Sequence, residues 1–158
     1  MSITIDIAAL HASRTRILAL FADAHAPWLD RAYAPGKWTA RQVLFHIADT
    51  ESVILDRVRR SLADHKPLLW SFDQDDWSTV LVSPKRDLRV AATLFSASLD
   101  SVIDLVAVVD PARFERPVVH NEVGKMKAGD WINAAARHAN HHAEQVEAVI
   151  AGRPWPTP

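Results

Sequence analysis

Apolar residues recur at helical spacing in four long stretches of the chain, and the breaks between the stretches hold prolines. The breaks contain Pro27 and Pro35, Pro67 and Pro84, and Pro111 and Pro117. Proline inside a helix removes a backbone donor and clashes with the preceding turn, so each break marks a helix boundary. With only 4 glycines in 158 residues, long regular elements are favoured over a loop-rich β protein. We therefore predict an all-α four-helix bundle that forms a single domain over residues 1–158.

The apolar stripes and local signals set the predicted boundaries. The stretches run from about Ile5 to Ala24, from Trp38 to Leu62, from Asp87 to Pro111 and from Ala128 to Gly152. Thr39 followed by Gln42 has the spacing of a capping box, which satisfies two orphan backbone donors at a helix start. The segment His65–Lys85 has no such periodicity. We predict that it is a long loop between the second and third helices, with a short helix of its own, at the rim of a pocket.

Charge and cysteine content exclude several functions. There are 18 Lys and Arg against 19 Asp and Glu, so the formal net charge is −1. Nucleic acids and anionic membranes bind through clustered basic residues, so we expect neither as a partner. The chain has no cysteine, which excludes disulfides, cysteine-ligated zinc, iron–sulfur clusters and a thiol nucleophile. The 8 histidines remain as the source of chemistry.

The sequence indicates a cytoplasmic protein. Met1–Leu10 carries Asp6 and lacks a basic start followed by a long apolar run, so we expect no signal peptide. The stretch that comes nearest to a membrane-spanning segment, Val102–Val109, is interrupted by Asp104. We therefore expect no stretch of the apolar length that a bilayer requires.

The fourth stretch carries histidines in the middle of its apolar face. At about 100° per residue, helical spacing places His138 and His142 on one narrow stripe. Trp131 and Gln145 continue that stripe, whereas His141 falls to its side. Buried polar groups must be hydrogen-bonded or must coordinate something. Two imidazoles one turn apart favour a metal site over the alternative, which is a pair of core histidines bonded to backbone or carboxylate groups.

A metal site needs a third ligand, and His46 in the second stretch is the candidate. Its angular position is on the flank of the apolar stripe, which leaves open whether it is a ligand or a partly exposed surface histidine. Glu51 falls on the stripe itself. It could be an acceptor behind a metal ligand, a proton-transfer group or an ion-pair partner of an arginine, and the last is the commonest arrangement.

The catalytic residues stay unknown at this level. Asp49 follows His46 by three residues and either lies near the metal or faces water. His120, in a predicted loop, either reaches a substrate or is an ordinary surface residue. Gln145 either bonds a ligand or fills space. We therefore assign no catalytic residue beyond the metal ligands.

Three segments of the chain carry a family resemblance: Trp38–Glu51, the turn His120–Met126 and the run His138–Gln145. In order and spacing they resemble the DinB/YfiT-like superfamily over essentially the whole chain. The resemblance implies a four-helix bundle with up-down-down-up connectivity, and members are often homodimers. It does not imply DNA binding, which the charge balance also disfavours.

The resemblance also implies a divalent metal ion held by three histidines, which fall on His46, His138 and His142. Three neutral histidines with an open fourth position are typical of a catalytic zinc site, and nickel, iron or copper also accept imidazole. Family members are described as metal-dependent hydrolases or as thiol S-transferases and isomerases that use bacillithiol or mycothiol. We therefore expect a small-molecule substrate, including a low-molecular-weight thiol. The alternative is a non-catalytic metal-binding helical bundle that acts as a dimerisation or interaction module.

Overall fold

The structure, a computed structural model, describes residues 3–155, and four long helices make up most of it. They are α1 (Ile7–Phe21), α2 (Ala40–Ala63), α4 (Leu88–Val108) and α5 (Ala128–Ile150). The short helix α3 (Gln74–Asp76) and a π-helical turn (Trp77–Leu81) lie between α2 and α4. The predicted four-helix bundle is confirmed, as is a short helix within the long loop.

The bundle is a ring in which α2 and α1 are diagonally opposite. Each of these two helices packs on α4 and on α5. The helices α2 and α5 are antiparallel, because His46 contacts His142 at one end of their seam and Arg57 contacts Trp131 at the other. Their packed stripes therefore bring the predicted histidines of both helices to the same level.

The direction of α1 completes the topology. Later residues of α1 contact later residues of α5, so these two helices are parallel. Later residues of α1 contact earlier residues of α4, so these two are antiparallel. The contacts that set these directions are Asp6–Asn133 and Arg16–Glu147 between α1 and α5, and Arg14–Asp100 and Phe21–Phe95 between α1 and α4. The helices thus run up, down, down and up in chain order, as the family resemblance implied.

The start of α2 is fixed by its own sequence. The backbone N–H of Gln42 donates to Thr39 Oγ1 at 3.2 Å, and the backbone N–H of Thr39 donates to Gln42 Oε1 at 2.8 Å. This reciprocal pair satisfies two donors that a helix start otherwise leaves orphaned. The predicted capping box is confirmed, and it places His46 in the second turn of α2.

A small three-stranded sheet adds to the predicted all-α fold. Its strands are β1 (Leu68–Leu69), β2 (Pro117–His120) and β3 (Gly124–Lys127), with β2 in the middle. β1 is parallel to β2, and β3 is antiparallel to β2. Strands of two to four residues are too short to show a period-two pattern, so sequence periodicity does not predict them. One consequence is that His120, expected in a loop, ends β2 with only 4% of its surface exposed.

The expectation that no segment has the apolar length of a membrane span needs correction for α4. Within residues 3–155, Leu88–Val108 is one helix that is long and apolar enough by length and composition, with a mean hydropathy of 1.6. In this fold α4 lies against α1 and α2 and buries Phe95, Leu99 and Val102. Its other face leaves Val90 and Val108 largely exposed.

We predict that Thr39→Ala lowers the free energy of unfolding by about 1 kcal/mol, because it removes the side-chain acceptor of the capping box. Urea unfolding followed by circular dichroism measures the change. Thr93→Ala, at an exposed position within α4, is the matched control and should change stability by less. Equal losses in both variants would show that the cap does not stabilise α2.

Candidate metal centre

The structure brings the three predicted ligands together. His46 comes from α2, and His138 and His142 come from consecutive turns of α5. One ring nitrogen from each lies within 4.8 Å of the other two. His46 is only 3% exposed, so it is not the partly exposed surface histidine that its angular position allowed. His142 is 9% exposed. All three imidazoles therefore converge at one point of the α2–α5 seam.

The donor set fits a divalent metal ion. Two histidine nitrogens bound to one zinc ion at about 2.0–2.1 Å lie roughly 3.0–3.4 Å from each other. The Nε2 atoms of His46 and His138 are 3.0 Å apart. The rings of His138 and His142 lie with their centroids at 4.5 Å, and those of His46 and His142 at 4.7 Å. Neutral imidazole nitrogens suit zinc, nickel, copper and iron.

Burial keeps these histidines neutral at physiological pH. It lowers the pKa of His46 to about 3 and that of His142 to about 4. The pKa of His138 is also well below its ordinary value, first because of burial and then because of the neighbouring His142 and His46. A metal ligand must present a free lone pair. The protein therefore holds the three rings in the form that binds a metal ion.

Gln145 orients His142. The amide oxygen Oε1 can only accept, so the 2.7 Å contact requires His142 Nδ1–H to donate to it. The tautomer of His142 then leaves the lone pair on Nε2, which a metal ion can use. Gln145 is 5% exposed. The sequence placed Gln145 on the histidine stripe and left open whether it bonds a ligand or fills space, whereas in the structure it bonds His142.

Aromatic rings cover the site. The ring of Trp38 lies 4.8 Å from that of His46 and stacks on His142 at 6.3 Å, with an angle of 22° between the planes. Phe72 approaches His46 at 6.4 Å and packs on Trp77 at 4.6 Å. In the sequence Trp38 marked the start of the second helix and of a segment of the family resemblance. Its contact with the histidines depends on the tertiary fold.

A cavity of about 590 Å³ opens beside His142. Its lining is Tyr33, Gly36, Lys37, Trp38, Gln74, Asp75, His141, His142, Gln145 and Trp155. Gln74 and Asp75 come from the segment His65–Lys85, which confirms that this loop forms part of a pocket rim. His141, which the helical wheel placed off the stripe, still lines the cavity. Trp70 is 65% exposed and lies outside this lining, as does Trp77.

The other predicted candidates have different environments. Asp49 faces Arg86, with Arg86 Nη1 and Asp49 Oδ2 3.8 Å apart, and is not part of the histidine cluster. Glu51 is 1% exposed, and neither of its oxygens has a hydrogen-bond partner among residues 3–155. The arginine ion pair that is commonest for such a residue is therefore wrong for Glu51. Burial raises its pKa to about 8.

Comparison with known proteins agrees with the fold. The family model described as the DinB superfamily matches residues 9–146. A protein of Oceanobacillus iheyensis named "Putative metal-dependent hydrolase" is 26% identical over 127 residues, which is 80% of this chain and 73% of the relative. The chain is also similar to two solved structures.

The structure of YfiT from Bacillus subtilis, described as "a probable metal-dependent hydrolase with an unusual four-helix bundle topology", superposes with a TM-score of 0.82. It is 21% identical, and the match covers 93% of this chain and 86% of YfiT. A mutant of the mycothiol-dependent maleylpyruvate isomerase matches with a TM-score of 0.70 and 10% identity, over 88% of this chain and 58% of the isomerase. Both structures share the fold.

We predict that Gln145→Leu weakens zinc binding by about 10- to 100-fold, because His142 Nδ1–H loses the acceptor that fixes its tautomer. Competition with a chromogenic chelator measures the affinity. Gln145→Glu keeps an acceptor at this position and should retain most of it. An unchanged affinity in Gln145→Leu would show that the contact does not support metal binding.

Glu51 makes the stability of the metal-free protein depend on pH. Its pKa is about 8 in the folded chain, against an ordinary value of 4.5, so between these pH values the folded state binds more protons than the unfolded state. The free energy of unfolding therefore falls as the pH rises from 4.5 to about 8, because over this range the Glu51 carboxyl ionises more readily in the unfolded state. We predict that Glu51→Gln is more stable than the parent at pH 8, by on the order of a few kcal/mol, and gains little at pH 4.

Urea unfolding of the chelated protein at the two pH values measures this difference. Glu144→Gln, at an exposed position of α5, is the matched control and should show no such pH-dependent gain. A gain for Glu51→Gln that is equal at both pH values would contradict the burial of an ionisable carboxyl at this position.

Proposed function

The chain belongs to the DinB superfamily, and on this premise we propose that it is a metal-dependent enzyme that acts on a small-molecule substrate. One observation carries the proposal. The nitrogens of His46, His138 and His142 lie within 4.8 Å of one another, and His142 also lines a cavity of about 590 Å³. A structural metal site is closed by protein ligands, whereas a catalytic site keeps a position for water or substrate. Three protein ligands beside a cavity support the second arrangement.

The protein side of the chemistry is binding and orientation. His46, His138 and His142 would hold the ion, for which zinc is our first choice and nickel or iron the alternatives. When bound, such an ion supplies Lewis acidity, which lowers the pKa of water or of a thiol toward neutrality. Gln145 fixes the tautomer of His142, and the ring of Trp38 packs against His46 and His142.

Hydrolysis is the reaction class that we propose first. The name of the Oceanobacillus iheyensis relative and the description of YfiT both support it. Transfer or isomerisation with a low-molecular-weight thiol is the second candidate, and the name of the mycothiol-dependent isomerase supports it through the shared fold. Because this chain has no cysteine, any thiol must come from the substrate side.

We propose that the protein acts in the cytoplasm as a homodimer, without nucleic-acid or membrane partners. The net charge of −1 supports the absence of a polyanionic partner. The exposed apolar residues Val90 and Val108 on the outer face of α4 support association with a second copy.

Metal analysis of protein purified without a histidine tag tests the metal site. We expect about one divalent ion per chain, and we expect His142→Ala to lose most of it because a three-ligand site cannot hold the ion with two. His11→Ala, at an exposed position of α1, is the matched control and should keep its metal. Equal metal content in the parent and in His142→Ala would overturn the three-histidine site.

Turnover of activated esters and of thiol–electrophile pairs then separates an enzyme from a non-catalytic module. We expect chelation to abolish turnover and added zinc to restore it in the parent but not in His142→Ala. If chelation lowers the melting temperature and neither substrate class is turned over at any metal loading, the non-catalytic bundle is favoured instead.

A further inference from the structure

The cavity beside His142 carries two opposite charges on its lining, Lys37 and Asp75. Lys37 lies in the connection before α2, and Asp75 lies in α3, so two separate segments bring these charges to one cavity of about 590 Å³. Among the described residues that line it, with histidine taken as neutral, these two are charged. The cavity beside the candidate metal centre is therefore polarised by one cation and one anion.

Neither charge has a bonded partner within residues 3–155. The ammonium of Lys37 makes no hydrogen bond or ion pair there, and the carboxylate of Asp75 makes none either. The two side chains do not pair with each other, although they line the same cavity. Both residues are exposed. Both charges are therefore available to a molecule that enters from solvent.

A second cavity of the protein shows the opposite arrangement. It has a volume of about 400 Å³, and its lining includes Arg41 and Asp30 as well as Arg89 and Asp87. Arg41 pairs with Asp30 at 2.8 Å, and Arg89 pairs with Asp87 at 2.7 Å. The charges of that cavity are already matched within the chain, which distinguishes them from the free pair beside His142.

The charge of Asp75 acts on the interior of its cavity. Burial raises the pKa of Tyr33, and the charge of Asp75 raises it further. The ring of Tyr33 also lines the cavity. The carboxylate of Asp75 is therefore within electrostatic range of a group on the cavity wall.

Aromatic rings supply much of the remaining lining. Trp38 stacks on His142 with the ring centroids 6.3 Å apart, and Trp155 meets His141 at 5.9 Å with the planes nearly perpendicular. The backbone N–H of Trp155 donates to the carbonyl of Tyr33 at 3.4 Å, which joins the segment after α5 to the segment before α2. A molecule in this cavity would therefore meet apolar rings, two opposite charges and a candidate metal ligand.

We propose that the substrate is a zwitterion of the short-peptide class, with its carboxylate on Lys37 and its ammonium on Asp75. This inference rests on the proposed function, since it names the substrate of the same site. An anion alone would be repelled by Asp75, and a cation alone would be repelled by Lys37. An uncharged molecule would gain nothing from either residue. A cavity of about 590 Å³ is in the size range of small-molecule sites and has room for a dipeptide.

NMR titration with the dipeptide alanylalanine tests the proposal. Two blocked forms are the matched probes, because the N-acetyl dipeptide has no ammonium and the dipeptide amide has no carboxylate. The backbone amides of Gly36, Trp38 and Gln74, which belong to the cavity lining, report binding. We expect saturable shifts with alanylalanine and about fivefold weaker binding of each blocked form, because each has lost one partly solvated ion pair.

Two variants assign each charge to one end of the probe. In Lys37→Met we expect alanylalanine and its amide to bind equally, while the N-acetyl form still binds more weakly. In Asp75→Asn we expect alanylalanine and its N-acetyl form to bind equally, while the amide still binds more weakly. Asp76→Asn and Lys66→Met, at exposed positions outside the cavity lining, are the matched controls and should keep both differences.

The titrations are run on the protein as purified and after chelation, which separates this inference from the proposed function. Differences between the probes that persist after chelation support recognition by Lys37 and Asp75. A chain that binds no metal ion and still discriminates between the probes would contradict the metal-dependent function alone.

Four results would overturn the inference. They are the absence of saturable binding, equal binding of the three probes, a preference for the carboxylate that survives in Lys37→Met, and differences that disappear on chelation. The last result would assign the discrimination to a bound metal ion instead of the two charged residues.

Discussion

The antiparallel packing of α2 on α5 is the constraint on which the rest of the structure depends. Each helix alone carries polar side chains along an otherwise apolar stripe, where they would destabilise an ordinary core. Packed together, the two stripes place His46 against His138 and His142, and Arg57 against Trp131. The seam therefore holds two polar clusters within one hydrophobic bundle, in which α4 packs on α2 and α1 packs on α5.

Burial of these groups costs stability only where they would otherwise be charged, which is below about pH 6.5 for the histidines and above about pH 4.5 for Glu51. Burial lowers the pKa of His46 and His142, which keeps them neutral at acidic pH values where histidine is ordinarily charged. It raises the pKa of Glu51, which keeps that carboxyl neutral at pH values where glutamate is ordinarily charged. A metal ion that binds only the folded state adds to its stability by mass action. Functional sites are commonly built from such groups, since an environment that disfavours the solvated form favours the bound one.

The loops determine access to these clusters. The segment between α2 and α4 supplies Phe72 beside His46 and Gln74 and Asp75 at the cavity. The carbonyl of Trp70, just after β1, accepts from Arg57 at the other end of the seam. One connection thus contacts both clusters. Its sequence lacks periodicity, which is typical of segments whose conformation is set by what they pack against.

The sequence by itself determined the four helices, the capping box at Thr39 and the inward pair His138 and His142, because helical periodicity and local capping act over a few residues. It also indicated His46 through the family resemblance. Only the tertiary structure decided that His46 is buried, that Gln145 bonds His142, and that Arg57, His120 and Trp131 are neighbours. These contacts join residues from different elements, and their relative placement depends on how whole helices and strands pack, which no local pattern specifies.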